Sequence, residues 1–203
     1  MIERTILRRG VKDPRVLAAM QAVPREAFVR PGNEDRAYAD DALPILAGQT
    51  ISQPYIVALM TERARIAPGD AVREIGTGSG YAAAVLAQVA ARVCTIERHG
   101  KLVREAAERL SFYGNVEIRH GDGTKGWPER APFDAILVAA AGVAIPGALL
   151  AQLKIGGRLV MPVGDTPFSQ FLVRWTKTGE ASFKQERLGA VAFVPLVEGL
   201  PEP

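Results

Sequence analysis

Residues 74–81 read Glu74-Ile75-Gly76-Thr77-Gly78-Ser79-Gly80-Tyr81, three glycines at alternate positions after a short strand-like run, Ala71 to Ile75. Glycines without Cβ allow a tight turn and let ligand atoms lie against the backbone. The helix expected to follow, Tyr81 to Ala90, offers unpaired N–H groups at its start. A strand, a glycine turn and a helix in that order open a nucleotide-binding α/β unit, and the chain beyond it repeats the alternation. Apolar runs at Ala71 to Ile75, Arg92 to Glu97, Val116 to His120, Phe133 to Val138 and Arg158 to Val163 are five candidate strands. Helical stretches at Lys101 to Leu110 and Ala144 to Leu153 supply further crossovers, as parallel pairing requires. After Gly164 two strand-like segments, Gln170 to Thr176 and Gln185 to Val194, flank a turn containing Gly179 and read as an antiparallel hairpin. The fold class expected is α/β, a doubly wound, mostly parallel Rossmann-like sheet with an antiparallel C-terminal hairpin.

The spacing of the glycine turn narrows the ligand. It is GxGxG, and Tyr81 stands where the last glycine of a dinucleotide GxGxxG would lie. A bulky Tyr81 opposes that close packing, and the acidic Glu74 before the turn would repel a pyrophosphate. Both suit S-adenosyl-L-methionine, which carries an ammonium and a sulfonium but no phosphate. Gly76, Thr77, Gly78, Ser79 and Gly80 then form its backbone cradle, with Glu74 as the acid that attracts it. Glu97 ends the second strand about twenty residues past the turn, the place from which an acid accepts ribose hydroxyls in nucleoside sites. Asp122, in the Gly121-Asp122-Gly123 turn after the third strand, can accept from an adenine amino group. All these groups fall at the carboxyl edge of the expected sheet, where open α/β folds bind ligands.

The rest of the chain sets limits. Its 203 residues, 48% hydrophobic and 23% charged, describe one globular domain with an elaboration, not a disordered chain. The division expected is an N-terminal helical region over 1–68, a cofactor-binding core over 69–164, and the hairpin and tail over 165–203. Asp13 as N-cap and Pro14 at the first turn start a helix carrying Val16, Leu17, Met20 and Val23, which Pro24 closes. A polar irregular run follows from Pro31 to Gln49, then a second helix on Ile56, Leu59, Met60 and Arg63. Twenty-five basic against 22 acidic residues leave a net charge of +3 with no long basic tract, so nucleic acid is not the expected partner. Arg4, Arg8, Arg9, Lys12 and Arg15 lack interleaved aromatics and read as a solvated face. One cysteine, Cys94, and two histidines, His99 and His120, make neither a disulfide nor a zinc site, and no metal is expected. The start of the chain lacks the apolar core of a signal peptide. The uncharged stretch between Asp134 and Lys154 is broken by Gly142, Pro146 and Gly147 and reads as strand, turn and helix rather than a membrane span. A cytoplasmic, monomeric protein is expected, with His99, Cys94, Trp127 and Trp175 structural or at the surface.

With these residues in place, the sequence resembles the protein-L-isoaspartate O-methyltransferase family along nearly its whole length. The glycine turn is common to many methyltransferases. More specific are GQTISQPYIVALM at 48–60, APFDAILVAAA at 131–141, IGGRLVMPVG at 155–164 and FVPL at 193–196, with AMQAVPREAFV at 19–29 and AYADDALPI at 37–45 in the N-terminal region. The sequence departs from the family at Ala139, where many bacterial members have Thr, and over Asp165 to Ser169. The resemblance implies a class I methyltransferase fold and transfer of a methyl group from S-adenosyl-L-methionine to the free α-carboxyl of L-isoaspartyl residues in damaged proteins. The ester then closes to a succinimide, which permits repair. It further implies Ser52 as the catalytic residue, in a loop with Thr50 and Ile51 that holds the isoaspartyl backbone, and Val194 and Pro195 as the opposite wall.

That chemistry needs few reactive side chains. A carboxyl of pKa roughly 4 is already ionised at neutral pH, so no general base is required and alignment is the main task. Ser52 suits orientation rather than attack, since its hydroxyl can donate to one carboxylate oxygen. Its position two residues before Pro54 equally fits a helix N-cap. Three other readings stand beside it: a methyltransferase acting on a small molecule or nucleic acid, a binding module without turnover, and last a nicotinamide oxidoreductase.

Overall fold

In a computed structural model the structure describes residues 1–201, the side chain of Arg4 excepted, so the end of the expected tail, Glu202 and Pro203, lies outside the described residues. Short helical turns over 2–9 lead to α1 (Pro14–Ala22). The Asp13 carboxylate accepts from the Arg15 amide at 2.9 Å and Pro14 fills the first turn, as the sequence indicates. α1 buries Val16, Ala19 and Met20. The irregular run then contains a two-stranded ribbon, β1 (Leu43–Pro44) against β2 (Thr50–Ile51), paired Leu43 to Ile51. α2 (Pro54–Arg63) follows at once and buries Val57, Ala58, Leu59, Met60 and Thr61.

α2 is tied down at its C-terminal end in two ways. The Glu62 carboxylate accepts from the Lys12 and Asp13 amides at 2.5 and 2.8 Å, holding the entry of α1 against it. At its C-terminus the carbonyls left without helical partners are taken by guanidinium groups from the sheet: Arg174 donates to Arg63 at 3.0 Å and Arg158 to Ala64 at 2.8 Å.

The main sheet is built from β3 (Ala71–Ile75), β4 (Arg92–Glu97), β5 (Val116–His120), β6 (Phe133–Val138), β7 (Leu153–Val163), β8 (Phe171–Lys177) and β9 (Phe183–Ala190). Their spatial order is β5-β4-β3-β6-β7-β8-β9. β3 to β7 run parallel, and β8 and β9 are antiparallel at one edge, as the hairpin reading expects. The order reverses between β3 and β6, so a crevice opens where these strands and β4 end. α3 (Tyr81–Ala87), α4 (Gly100–Leu110) and α5 (Gly147–Ala151) complete the crossovers, while β5 and β6 are joined by short 3₁₀ turns alone.

Two helices are shorter than their sequence pattern. α3 stops at Ala87, where the Asn115 amide group donates to the Ala87 and Ala90 carbonyls at 2.9 and 3.0 Å and tight i to i+3 bonds close the last turn. α5 starts only at Gly147, because Ala141 and Gly142 are held in bridges to Pro195 and Val163. The hairpin strand expected to reach Val194 ends at Ala190, and the chain from Phe193 crosses to β6 instead. The uncharged stretch before Lys154 is strand, loop and short helix, and no helix of the described residues is long and apolar enough to cross a membrane.

Candidate active site

Above the carboxyl ends of β3, β4 and β6 lies a cleft of about 960 Å³, counting the space open at its mouth, within the range of small-molecule sites. Its floor is Ile75 and the turn Gly76 to Ser79; one side is Ile96, Glu97, Arg98 and His99; the opposite sides are Gln49 to Ser52 and Val194 to Val197. Segments more than a hundred residues apart in sequence thus face one another.

The turn is shaped by its own backbone. Gly76 sits at φ 92°, a left-handed conformation that disfavours any side chain, and its amide donates to the Ile96 carbonyl at 2.9 Å. Glu97 is 5% exposed, and its carboxylate accepts from the Gly78 amide at 3.0 Å and the His99 amide at 2.9 Å. Two bonds leave lone pairs of an ionised carboxylate free for hydroxyl donors. The same residue therefore shapes the turn and presents acceptors at the cleft. Gly123 brings the third strand's loop close: a Cβ there would stand 2.3 Å from the Ile75 side chain.

Of the residues singled out in the sequence, Thr50, Ile51, Ser52, Gly76, Thr77, Gly78, Ser79, Glu97, Gly123, Val194 and Pro195 all line this one cleft. Three do not. Gly80, at φ 91°, is the N-cap of α3, where a Cβ would crowd Leu110 at 3.1 Å. Asp122 faces inward to the chain, accepting from the Thr124 amide and hydroxyl at 2.9 and 2.7 Å and from the Gly199 amide at 2.9 Å. Burial works to raise its pKa, but the Thr124 and Gly199 bonds and the Lys125 charge hold it below the ordinary value. Its expected hydrogen-bonding capacity is thus largely taken by its own loop and the C-terminal tail.

Glu74 is the third. It is 2% exposed, and one carboxylate oxygen accepts from the Thr95 hydroxyl at 2.7 Å. The Thr95 hydroxyl in turn lies 2.5 Å from that of Thr77. Burial pushes the Glu74 pKa up to about 8, outweighing the Thr95 bond, with the neighbouring Glu97 charge adding to the rise. Glu74 thus lies behind the lining of the cleft, where burial and the Glu97 charge both oppose its ionisation.

Ser52 lines the cleft without capping α2. Gln53 occupies the N-cap position and no side chain caps that helix. The loop is held instead by Asp40, whose carboxylate accepts from the Tyr55 amide at 3.2 Å and whose carbonyl accepts from the Gln53 side chain at 3.0 Å. The facing wall is anchored by Gln170, which accepts from the Phe193 amide at 2.6 Å and donates to the Phe193 carbonyl at 3.1 Å. Ala141 exchanges bonds with Val194 and Leu196 at 2.8 and 2.7 Å.

Sequence reading missed several lining residues. His99, expected to be structural, borders the cleft two residues after Glu97; its place just past a strand end was the available signal. Ala139 and Ala140 follow β6 and were legible from topology in the same way. Val57 and Tyr81 reach the cleft from helix faces, for which the sequence carries no separate sign.

A doubly wound sheet with a glycine turn and a strand-end acid at its switch point has the layout of a nucleoside-cofactor enzyme of the methyltransferase class. Comparison with known proteins is specific. The sequence model of the Protein-L-isoaspartate(D-aspartate) O-methyltransferase (PCMT) family matches residues 1–200. A protein-L-isoaspartate O-methyltransferase of Rhodopseudomonas palustris is 57% identical over 207 residues, covering 100% of this chain and 95% of the relative. Protein-L-isoaspartate O-methyltransferase 1 of Geotalea uraniireducens is 54% identical over 97% of this chain and 91% of its own. Among solved structures, a Plasmodium falciparum protein described as a protein-L-isoaspartate O-methyltransferase in complex with S-adenosyl-L-homocysteine superposes with a TM-score of 0.83 at 27% identity, covering 95% of each chain. This chain belongs to the protein-L-isoaspartate (D-aspartate) O-methyltransferase family.

Proposed function

We infer that this enzyme transfers a methyl group from S-adenosyl-L-methionine to the free α-carboxyl of L-isoaspartyl residues in damaged proteins and peptides, initiating their repair. The observation that carries the reading is the single cleft in which the Thr50-Ile51-Ser52 loop faces the glycine turn and Glu97. The donor set fits the cofactor: a turn free of side chains at Gly76 and Gly78 for close backbone approach, a carboxylate with spare lone pairs for ribose hydroxyls, and no cluster of cations that would call for phosphate.

When bound, the cofactor supplies an electrophilic methyl on a sulfonium. Glu97 and the amides of residues 76–79 hold it, with Gly123 keeping the third strand's loop tight against the floor. Thr50 and Ile51 hold the isoaspartyl backbone, and Val194 and Pro195 close on it from the other side. The Ser52 hydroxyl donates to one oxygen of the acceptor carboxylate, so that the other oxygen aligns with the methyl. The bound cofactor would supply the methyl group to that oxygen, and because the acceptor is already a carboxylate no residue of this chain need remove a proton. Alignment of this kind contributes roughly 7–11 kcal/mol in favourable cases.

In this reading residues 1–68 form the substrate side, 69–164 the cofactor core, and 165–203 the hairpin and closing wall. The protein acts as a monomer in the cytoplasm, on protein rather than on nucleic acid or membrane. The test is methyl transfer from labelled cofactor to two peptides identical except for L-isoaspartyl or L-aspartyl at one position. Labelling of the isoaspartyl peptide alone is expected. Labelling of neither, with cofactor bound, would favour another acceptor or a binding module without turnover.

A further inference from the structure

The ribbon of β1 and β2 ends at the pair Leu43 and Ile51, and Ser52 is the next residue of the chain before α2 begins. Thr50 and Ile51 are fixed by the ribbon itself, through their pairing with Pro44 and Leu43 and the bond from the Ile45 amide to the Gln49 carbonyl at 2.8 Å. Ser52 stands outside that pairing, at the cleft, between the ribbon and Gln53. The helix that follows is secured at its far end, where Arg174 and Arg158 take its last carbonyls, whereas its N-cap, Gln53, makes no side-chain bond to the first turn.

Asp40 supplies the hold that the helix lacks there. Its Oδ1 accepts from the Tyr55 amide at 3.2 Å, one of the first-turn N–H groups without a helical partner, at an end where negative charge is favoured. Its carbonyl accepts from the Gln53 side chain at 3.0 Å. Its Oδ2 accepts from the Arg9 guanidinium at 2.6 Å, and that guanidinium lies 3.5 Å over the Tyr55 ring, so Arg9 fixes the carboxylate and the first turn of α2 together. Asp40 is in turn held from behind. The Ala37 carbonyl accepts from the buried Arg25 at 2.7 Å, and the Ala39 amide donates to the Arg36 carbonyl at 2.9 Å. The Arg9–Asp40 pair is partly exposed, and such pairs contribute little to stability. Its geometry instead places one carboxylate between a cation and a helix amide, three residues along from the hydroxyl that faces the cleft.

We propose that Asp40 is a positioning residue for methyl transfer: with Arg9 it clasps the base of the β1–β2 ribbon to the first turn of α2, and so sets where the Ser52 hydroxyl stands against the acceptor carboxylate. This inference rests on the role given to Ser52 in the function proposed above. Asp40 does not line the cleft and acts through Ser52. Without its carboxylate the ribbon pairing still holds Thr50 and Ile51, while Ser52 loses its fixed register on the helix side. The loss therefore falls on turnover rather than on peptide or cofactor binding, because a misplacement of about 1 Å at the reacting groups costs up to about 100-fold in rate.

A double-mutant cycle on the full chain, assayed with an isoaspartyl peptide, tests this. Asp40→Ala removes the carboxylate and keeps the carbonyl that holds Gln53. It is expected to lower kcat by about tenfold or more, as Ser52→Ala does, with KM for peptide and Kd for S-adenosyl-L-methionine each within about threefold of wild type. In the Ser52→Ala background the same substitution should change kcat by less than about twofold, because the group it positions is gone. Asp40→Asn, which leaves one oxygen for two donors, covers the case in which the alanine variant does not fold. It should lose about threefold or more in kcat, and that loss too should vanish in the Ser52→Ala background. Full kcat in a folded Asp40 variant, a loss carried by KM or cofactor Kd instead, or an equal loss with and without the Ser52 hydroxyl would each overturn the proposal. A wild-type protein that methylates no isoaspartyl peptide would overturn the proposed function itself, and this inference with it.

Discussion

Replacing Glu97 by alanine separates the turn-holding duty that the structure shows from the cofactor-binding duty that we propose for this side chain. In the folded protein its carboxylate, 5% exposed, accepts the Gly78 and His99 amides at 3.0 and 2.9 Å. Hydrogen bonds to a charged acceptor contribute about 1.5–3 kcal/mol each, and such values do not add fully, so a stability loss of about 2–4 kcal/mol is expected. Loss of the ribose acceptors is expected to cost the cofactor a further 1.5–3 kcal/mol, roughly 10- to 150-fold in Kd. Glutamine at 97 keeps a neutral oxygen that can accept one amide, so it should recover part of the stability while remaining weak in binding. Calorimetric titration with S-adenosyl-L-methionine, run well below the Tm of each variant, reads the affinity; thermal unfolding reads the stability. Affinity within twofold of wild type in folded Glu97→Ala would refute the ribose assignment, whatever happened to the Tm.

Ser52→Ala should lower kcat for an isoaspartyl peptide by about tenfold or more while leaving Tm nearly unmoved, because α2 has no side-chain cap to lose; a variant with full turnover and a lowered Tm would contradict the orienting role. Gly123→Ala forces a Cβ to within 2.3 Å of the Ile75 side chain, and an overpacking loss of about 1–3 kcal/mol, measured by denaturant unfolding, is expected. Gln170→Ala removes both bonds that hold Phe193 and should raise KM for peptide more than it changes cofactor Kd, as steady-state kinetics would reveal. Glu74 also predicts a pH dependence of stability. Its folded pKa, about 8, lies above the ordinary 4.5, so between these values the unfolded chain holds fewer protons and stability falls as pH rises. Glu74→Gln should therefore gain relative to wild type by a few kcal/mol on going from pH 5 to pH 8, an order-of-magnitude figure; parallel curves from chemical denaturation would exclude that buried acid.

The alternation of strands and helices was readable in the sequence because the central parallel strands β3, β4 and β6 are buried on both faces and a crossover helix such as α4 on one, which writes distinct periods into the chain. Four of the five parallel strands have the bounds of their apolar runs, while the fifth, β7, begins at Leu153 rather than Arg158, and Asp13 with Pro14 starts α1 as its chemistry requires. Glycine turn, Glu97 and Gly123 were legible for the same reason: strand ends at one sheet edge converge whatever the intervening helices do. The place of the 49–52 loop and the FVPL segment at the cleft was legible only through family resemblance, since nothing in residues 48–60 or 193–196 states locally what they face.

Tertiary structure decided the rest. The sequence marks Glu74 as an acid beside a glycine turn, but whether it carries charge depends on the apolar chamber that α2, α3 and β6 close around it. Asp122 is likewise an acid at the right edge, yet its carboxylate is claimed by Thr124 and by Gly199, from a distant part of the chain. Ser52 has the sequence of a helix cap and the position of a cleft residue, because Asp40 and Gln53 hold the loop away from that duty. Residue type and spacing determine which groups can reach a sheet edge. Desolvation and hydrogen-bond partners, which are assembled from remote segments, determine what each group does there.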